Sequence, residues 1–200
     1  MTGSELLILI IPAALAVVLL ALVSLENLLL LTLFMTPFSL QLSLITGGTG
    51  IDLSIPTEPI LALVLLITIF KLVVTREFPP RLLKHPVTIL VAVWLLWTLV
   101  TSVTSTMPAV SFKTLAYRLW FTSGFYLVAA TVAGRERFRE RYVIAYALGL
   151  AVVVVYFIVR VQGAGLLNQQ FAHSACYPFY KDHTSFGASM AFLLPPLAAM

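Results

Sequence analysis

The chain has 200 residues, of which 60% are hydrophobic and 10% charged, and its mean hydropathy is +1.04. Soluble domains carry roughly 25% charged residues, so this composition cannot cover a water-facing surface. The formal charge of +4 does not point to nucleic acid, because the basic residues cluster in short loops between apolar runs, where their targets are lipid headgroups.

Continuous apolar runs cover residues 6–25, 28–38, 59–75, 87–106, 114–133, 142–160 and 184–200. A helix crossing the hydrocarbon core needs about 20 mostly apolar residues. The runs do not alternate apolar with polar, so they read as helices rather than barrel strands. The expectation is an all-α fold, a polytopic transmembrane helix bundle of about six to seven spans. The N-terminal MTGSE lacks the basic region of a cleaved leader, so the first run is expected to be retained.

The second run is short, and Pro37 is expected to end it; Pro12 in the first run is tolerated in a membrane helix. Two helices broken at Glu26-Asn27 would put the N-terminus outside, and one long kinked element would put it inside; both stay open. The last run reaches Pro195, Pro196 and Met200 without a basic flank. Residues 1–200 are therefore expected to be the N-terminal part of a single multi-spanning membrane domain, cut within its last span.

The connections set the orientation. Segment 76–86 is basic and broken by Pro79, Pro80 and Pro86, and segment 135–141 holds four arginines. Both should be cytoplasmic by the positive-inside rule. Loops 39–58 and 161–183 then face outward, and the first contains no Lys or Arg. Its Gly47-Gly48-Thr49-Gly50 stretch lacks the Lys-Ser/Thr of a phosphate loop and reads as flexible chain.

Few residues could carry chemistry. Ser111, Thr114, Arg118 and Thr122 share one helical face. A cation within a span faces a bundle interior or a watery cavity, or snorkels to the headgroups. Arginine suits a diphosphate because its fork donates bidentate hydrogen bonds. Lys113 lies at the water boundary, where solvation or a headgroup contact is the plainer role.

Thr98, Thr101, Ser102 and Ser105 form a second polar stripe, which either lines a groove or bonds to neighbouring backbone. Trp94 and Trp97 fall mid-span and read as packing. Loop 161–183 is rich in amides and aromatics and suits a sugar. His173, Cys176, Asp182 and His183 could bind metal, but their spacing matches no zinc pattern. Asp182 or Thr184 is also a plausible N-cap for the helix that follows. A single cysteine, Cys176, makes no intramolecular disulfide.

Three stretches resemble the O-antigen ligase and O-antigen polymerase-like family of lipid-linked glycan transferases. They are Thr36-Pro37-Phe38-Ser39 with Leu53 to Pro59, then Ile89 to Trp120 with its Trp97-Thr98-Leu99-Val100-Thr101-Ser102 core, and Pro178 to Ala188. Together the resemblance spans nearly the whole chain. It implies a multi-pass protein of the bacterial inner (cytoplasmic) membrane, with undecaprenyl-diphosphate-linked glycan as donor. The acceptor would be lipid A-core or another repeat unit, on the periplasmic side.

Such transfer requires no nucleotide, metal or other cofactor, since the leaving diphosphate is already activated. The family's essential arginine and histidine lie in a large periplasmic loop expected beyond residue 200, so no catalytic residue is carried over. Arg118, Lys113, Lys181, Asp182 and His183 are the candidate substrate-binding residues. Residues 1–200 alone are expected to insert in a membrane without restoring transfer. Two other classes remain: a transporter or flippase, which would show repeated halves or midplane charges, and a structural subunit.

Overall fold

The computed structural model describes residues 17, 19–20, 24–41, 54–75, 78–132, 136–164, 171, 174–180 and 182–200. Most of these residues are helical. Helix α1 (Leu25–Met35) starts behind Ser24, whose hydroxyl accepts the Asn27 N–H at 3.3 Å, satisfying one of the orphan donors of a first turn. It tightens into a 3-10 turn, Thr36–Phe38, where Pro37 has no N–H to continue the ladder. Strands β1 (Leu40–Gln41) and β2 (Ser54–Ile55) pair antiparallel, with Leu40 opposite Ile55 and Gln41 opposite Ser54.

Helix α2 (Thr57–Phe70) runs into a π-helical turn, Lys71–Thr75. Then follow α3 (Pro80–Leu83), α4 (Pro86–Val103) and α5 (Pro108–Phe121). Each of these three opens on a proline, whose fixed φ suits the first helical position and whose missing N–H would be unpaired there anyway. Helix α5 continues through a π-helical stretch, Thr122–Val128, into α6 (Ala129–Val132). The chain closes with α7 (Glu136–Ala164) and α8 (His183–Ala198).

Among the described residues, three helices are long and apolar enough to cross a membrane: Thr57–Thr75, Pro86–Val103 and Arg137–Gly163. They answer to the runs at 59–75, 87–106 and 142–160. Their flanks carry many exposed large apolar side chains, Leu90, Leu96 and Val155 among them. A lipid solvent accepts such a surface and water does not. The protein is thus a mostly helical membrane protein.

The run at 28–38 is a shorter apolar helix, Leu25–Phe38, and the run at 184–200 is a helix of 16 residues, about 24 Å at 1.5 Å per residue. The helix expected to start at 114 starts at Pro108 instead, so Ser111 and Lys113, read as loop, are helical. Run 6–25 and the Gly47–Gly50 stretch lie almost or entirely outside the described residues, as do Arg76, Glu77 and Arg135 of the basic segments.

The chain packs as two compact units, Met1–Leu29 with Ile60–Gly134, and Leu30–Pro59 with Arg135–Met200. In the first, Gly124 of the π-helical stretch lets α2 approach. A Cβ there would come within 3.0 Å of the Leu61 side chain and 3.7 Å of Val64. In the second, Leu150, Val153, Cys176, Phe186 and Leu193 form a buried apolar cluster against which Phe38 and Tyr146 pack. Gly149 of α7 meets the end of α1 so closely that a Cβ would stand 2.1 Å from the Phe34 carbonyl oxygen.

Candidate functional site

Helices α4 and α5 form an antiparallel hairpin around residues 104–107, and the two polar stripes face each other across it. The Ser111 hydroxyl donates to Ser105 Oγ at 2.7 Å, and Ser102 Oγ donates to the Ser111 carbonyl at 3.3 Å. Deeper along the hairpin, Arg118 donates through Nη1 to Thr98 Oγ1 at 2.6 Å. These hydroxyls also donate within their own helix: Thr98 to the Trp94 carbonyl at 2.9 Å, Thr101 to Trp97 at 3.1 Å and Ser102 to Thr98 at 2.7 Å. A hydroxyl has one proton and two lone pairs. Thr98 gives its proton to its own backbone and so can present only a lone pair to the arginine.

Arg118 lies deeper than its sequence position suggested. Measured from Pro108 it is about 15 Å along α5, not one turn inside the helix. Helical side chains lean toward the N-terminus, which brings the guanidinium back to the level of Thr98. That level is about 8 Å inside the end of α4 at Val103. The guanidinium carbon also stands 4.5 Å from the centroid of the Trp94 ring. Trp94 is therefore not mere packing; it is a platform for a cation. Trp97 is 65% exposed among the described residues.

The cavity at this point has a volume of about 220 Å³ and is lined by Thr98, Thr101, Ser102, Val110, Ser111, Thr114 and Arg118. No carboxylate is among those residues. Arg118 makes no other hydrogen bond among the described residues, so the rest of its fork remains available. A half-buried guanidinium among hydroxyls, with no carboxylate among the described lining residues, is chemically able to receive an anion.

The other predicted residues that the structure describes are not among those lining this cavity. Lys113 is partly buried, its Nζ 5.4 Å from the Tyr117 ring centroid, and it does not line the cavity. Asp182 and His183 belong to the second compact unit, and Lys181 and His173 lie outside the described residues. Asp182 is the N-cap of α8: its Oδ1 accepts the Ser185 N–H at 2.7 Å and the Thr184 hydroxyl. Those bonds, Thr184's first, hold its carboxyl down to about 2. His183 is the exposed first residue of that helix. Cys176 is fully buried, and burial pushes its thiol up while Arg160 pulls the other way.

Two residues escaped the sequence reading. Arg160, near the end of α7, donates through Nη1 to the Tyr156 hydroxyl at 3.0 Å and to the carbonyls of Ala175 (3.4 Å) and Tyr177. Its guanidinium stands 5.5 Å from the rings of both Tyr156 and Phe171. A cation inside an apolar run beside an aromatic loop was the available signal. Glu58, in the first turn of α2, is 4% exposed, and its Oε1 accepts the Ser54 N–H at 2.9 Å. Its Oε2 has no hydrogen-bond partner among the described residues. The signal there was a lone acid opening an apolar run with no base nearby in sequence.

No family model, curated protein or solved structure matches this chain.

Proposed function

We propose that this chain belongs to a multi-pass transferase of the bacterial inner membrane that handles undecaprenyl-diphosphate-linked glycan, of the O-antigen ligase type. In this reading the runs at 6–25, 114–133 and 184–200 also cross the membrane, giving six to seven spans. Segments 76–86 and 135–141 are cytoplasmic. The hairpin end at 104–107 then faces the periplasm, and lipid A-core or a further repeat unit is the acceptor. The family resemblance of the text motivates it.

The single observation that supports the reading is the Arg118 cavity. A lipid diphosphate carries its charge just inside the headgroup level. A planar fork fixed by Thr98 and Trp94 can donate two parallel N–H bonds to such an anion, among hydroxyls able to complete its shell. The role is binding and orientation; no catalytic step is assigned to a residue of this chain.

The test is binding of a short-chain polyprenyl diphosphate to the chain in nanodiscs, followed by 31P NMR. Arg118→Met should weaken binding at least about tenfold, since a hydrogen bond to a charged group contributes about 1.5–3 kcal/mol. Arg118→Lys keeps the charge without the fork and should fall between. Undiminished binding by Arg118→Met would remove the proposal. Glycan transfer in host membranes carrying the same substitutions, at matched protein abundance, should follow the same order.

A further inference from the structure

A second cavity lies wholly within the other compact unit. It measures about 320 Å³, and its lining includes Thr36, Ser39, Gln41, Ser54, Tyr177 and Phe179. Among the described residues, no charged side chain lines it. The backbone explains the convergence. Gln41 and Ser54 are directly opposite on β1 and β2, and opposed residues of an antiparallel pair share a face. Both therefore enter the cavity together.

The surrounding backbone is tied down from both sides. Glu58 accepts the Ser54 N–H at 2.9 Å, and the Ser39 hydroxyl bonds to Met35 O at 3.1 Å and to the Thr57 hydroxyl. Across the cavity, Arg160 and Tyr156 both donate to the Tyr177 carbonyl, and Phe179 packs edge-on against Tyr156 with centroids 5.0 Å apart. The rim residue Tyr177 is 47% exposed, and its ring has no aromatic partner among the described residues. The Gln41 amide and the Ser54 hydroxyl make no side-chain hydrogen bond there either.

We infer that this cavity is a binding site for a pyranose ring. A sugar has an apolar C–H face and a rim of hydroxyls. The Tyr177 ring offers a surface for the first. The Gln41 amide, able both to donate and to accept, and the Ser54 hydroxyl offer partners for the second. The inference deepens the glycan-transfer reading by naming where sugar is gripped. It rests on that reading for its purpose, but its geometry shares no residue with the Arg118 cavity, so each can fail alone.

The experiment is saturation-transfer NMR on the full chain in nanodiscs, titrated with methyl β-glucopyranoside, methyl β-N-acetylglucosaminide and, as a polyol without a ring face, glycerol. At least one pyranoside should receive saturation at its ring C–H protons, and glycerol should not. Tyr177→Ala and Gln41→Leu should each weaken pyranoside binding roughly tenfold, whereas Tyr177→Phe, which keeps the ring, should bind as the parent does. Tyr177 anchors the loop through its carbonyl, which these changes leave in place. The inference is overturned by silence from both pyranosides, by equal transfer to glycerol, or by binding indifferent to Tyr177→Ala.

Discussion

Two arginines sit within apolar helices of this chain, each beside an aromatic ring, and they are used in opposite ways. Arg160 is spent. Its Nη1 serves the Tyr156 hydroxyl and the carbonyls of Ala175 and Tyr177, and rings flank its guanidinium. Arg118 makes one hydrogen bond among the described residues, to a hydroxyl, and faces a cavity with the rest of its fork. The difference lies in the acceptors. Carbonyls of a turn are fixed and cannot be re-satisfied without water, so an arginine that meets them becomes a structural bolt. A threonine already donating to its own helix can only steady a guanidinium and leave it open.

The comparison breaks if the two substitutions do not separate. Arg160→Met should destabilise the second unit by about 2–3 kcal/mol, because the carbonyls of a partly buried turn lose a charged donor. That should appear as earlier thermal unfolding in nanodiscs and faster proteolysis within 161–183, with diphosphate binding at Arg118 unchanged. Arg118→Met should do the reverse. Equal loss of stability in both variants would show that Arg118 is a bolt as well.

The glycines sharpen the contrast between the same two regions. Gly149→Ala drives a Cβ to 2.1 Å from a backbone oxygen near the end of α1, whereas Gly124→Ala meets the tip of the Leu61 side chain at 3.0 Å. Backbone cannot step aside and a leucine tip can. Overpacking of the first kind costs about 1–3 kcal/mol; the second should cost well under about 1 kcal/mol. Chemical-denaturant unfolding followed by circular dichroism of each variant would rank them, and the opposite order would mean that the α7 contact with Phe34 is the softer one.

How much of this was legible in the text follows from how local each feature is. Apolar run length is a local property, so the helices at 59–75, 87–106 and 142–160 could be read directly. Both polar stripes could be read from helical spacing, but not that they face one another, which depends on the turn at 104–107. The start of α5 was displaced because Pro108 opens the helix well before its apolar stretch. Arg160 and Glu58 left a signal as charges in apolar runs, but their partners were illegible: Tyr177 and Ser54 reach them only through loop geometry, which no periodicity encodes. The cavity at Tyr177 needed the β1–β2 register for the same cause.

The smallest expected effect concerns Asp182, a candidate for substrate binding that the structure shows spent as a helix cap. Its carboxyl is held from 3.8 down to about 2 by the Thr184 hydroxyl first and the Ser185 N–H next. A carboxylate whose folded value is depressed lends its stabilisation above the unfolded value and loses it as the pH falls through the folded one. The cap should therefore be fully formed above about pH 4 and should fail between there and about pH 2. The amide of Ser185 reports this directly, because it donates to the titrating oxygen. Its NMR shift in nanodiscs should titrate with a midpoint near 2. Asp182→Asn retains an N-cap acceptor but no titrating group, so the shift should become flat over the same window while the first turn of α8 persists. A midpoint at the ordinary carboxylate value would leave Asp182 uncommitted to the cap, and free, like Arg118, to meet a ligand.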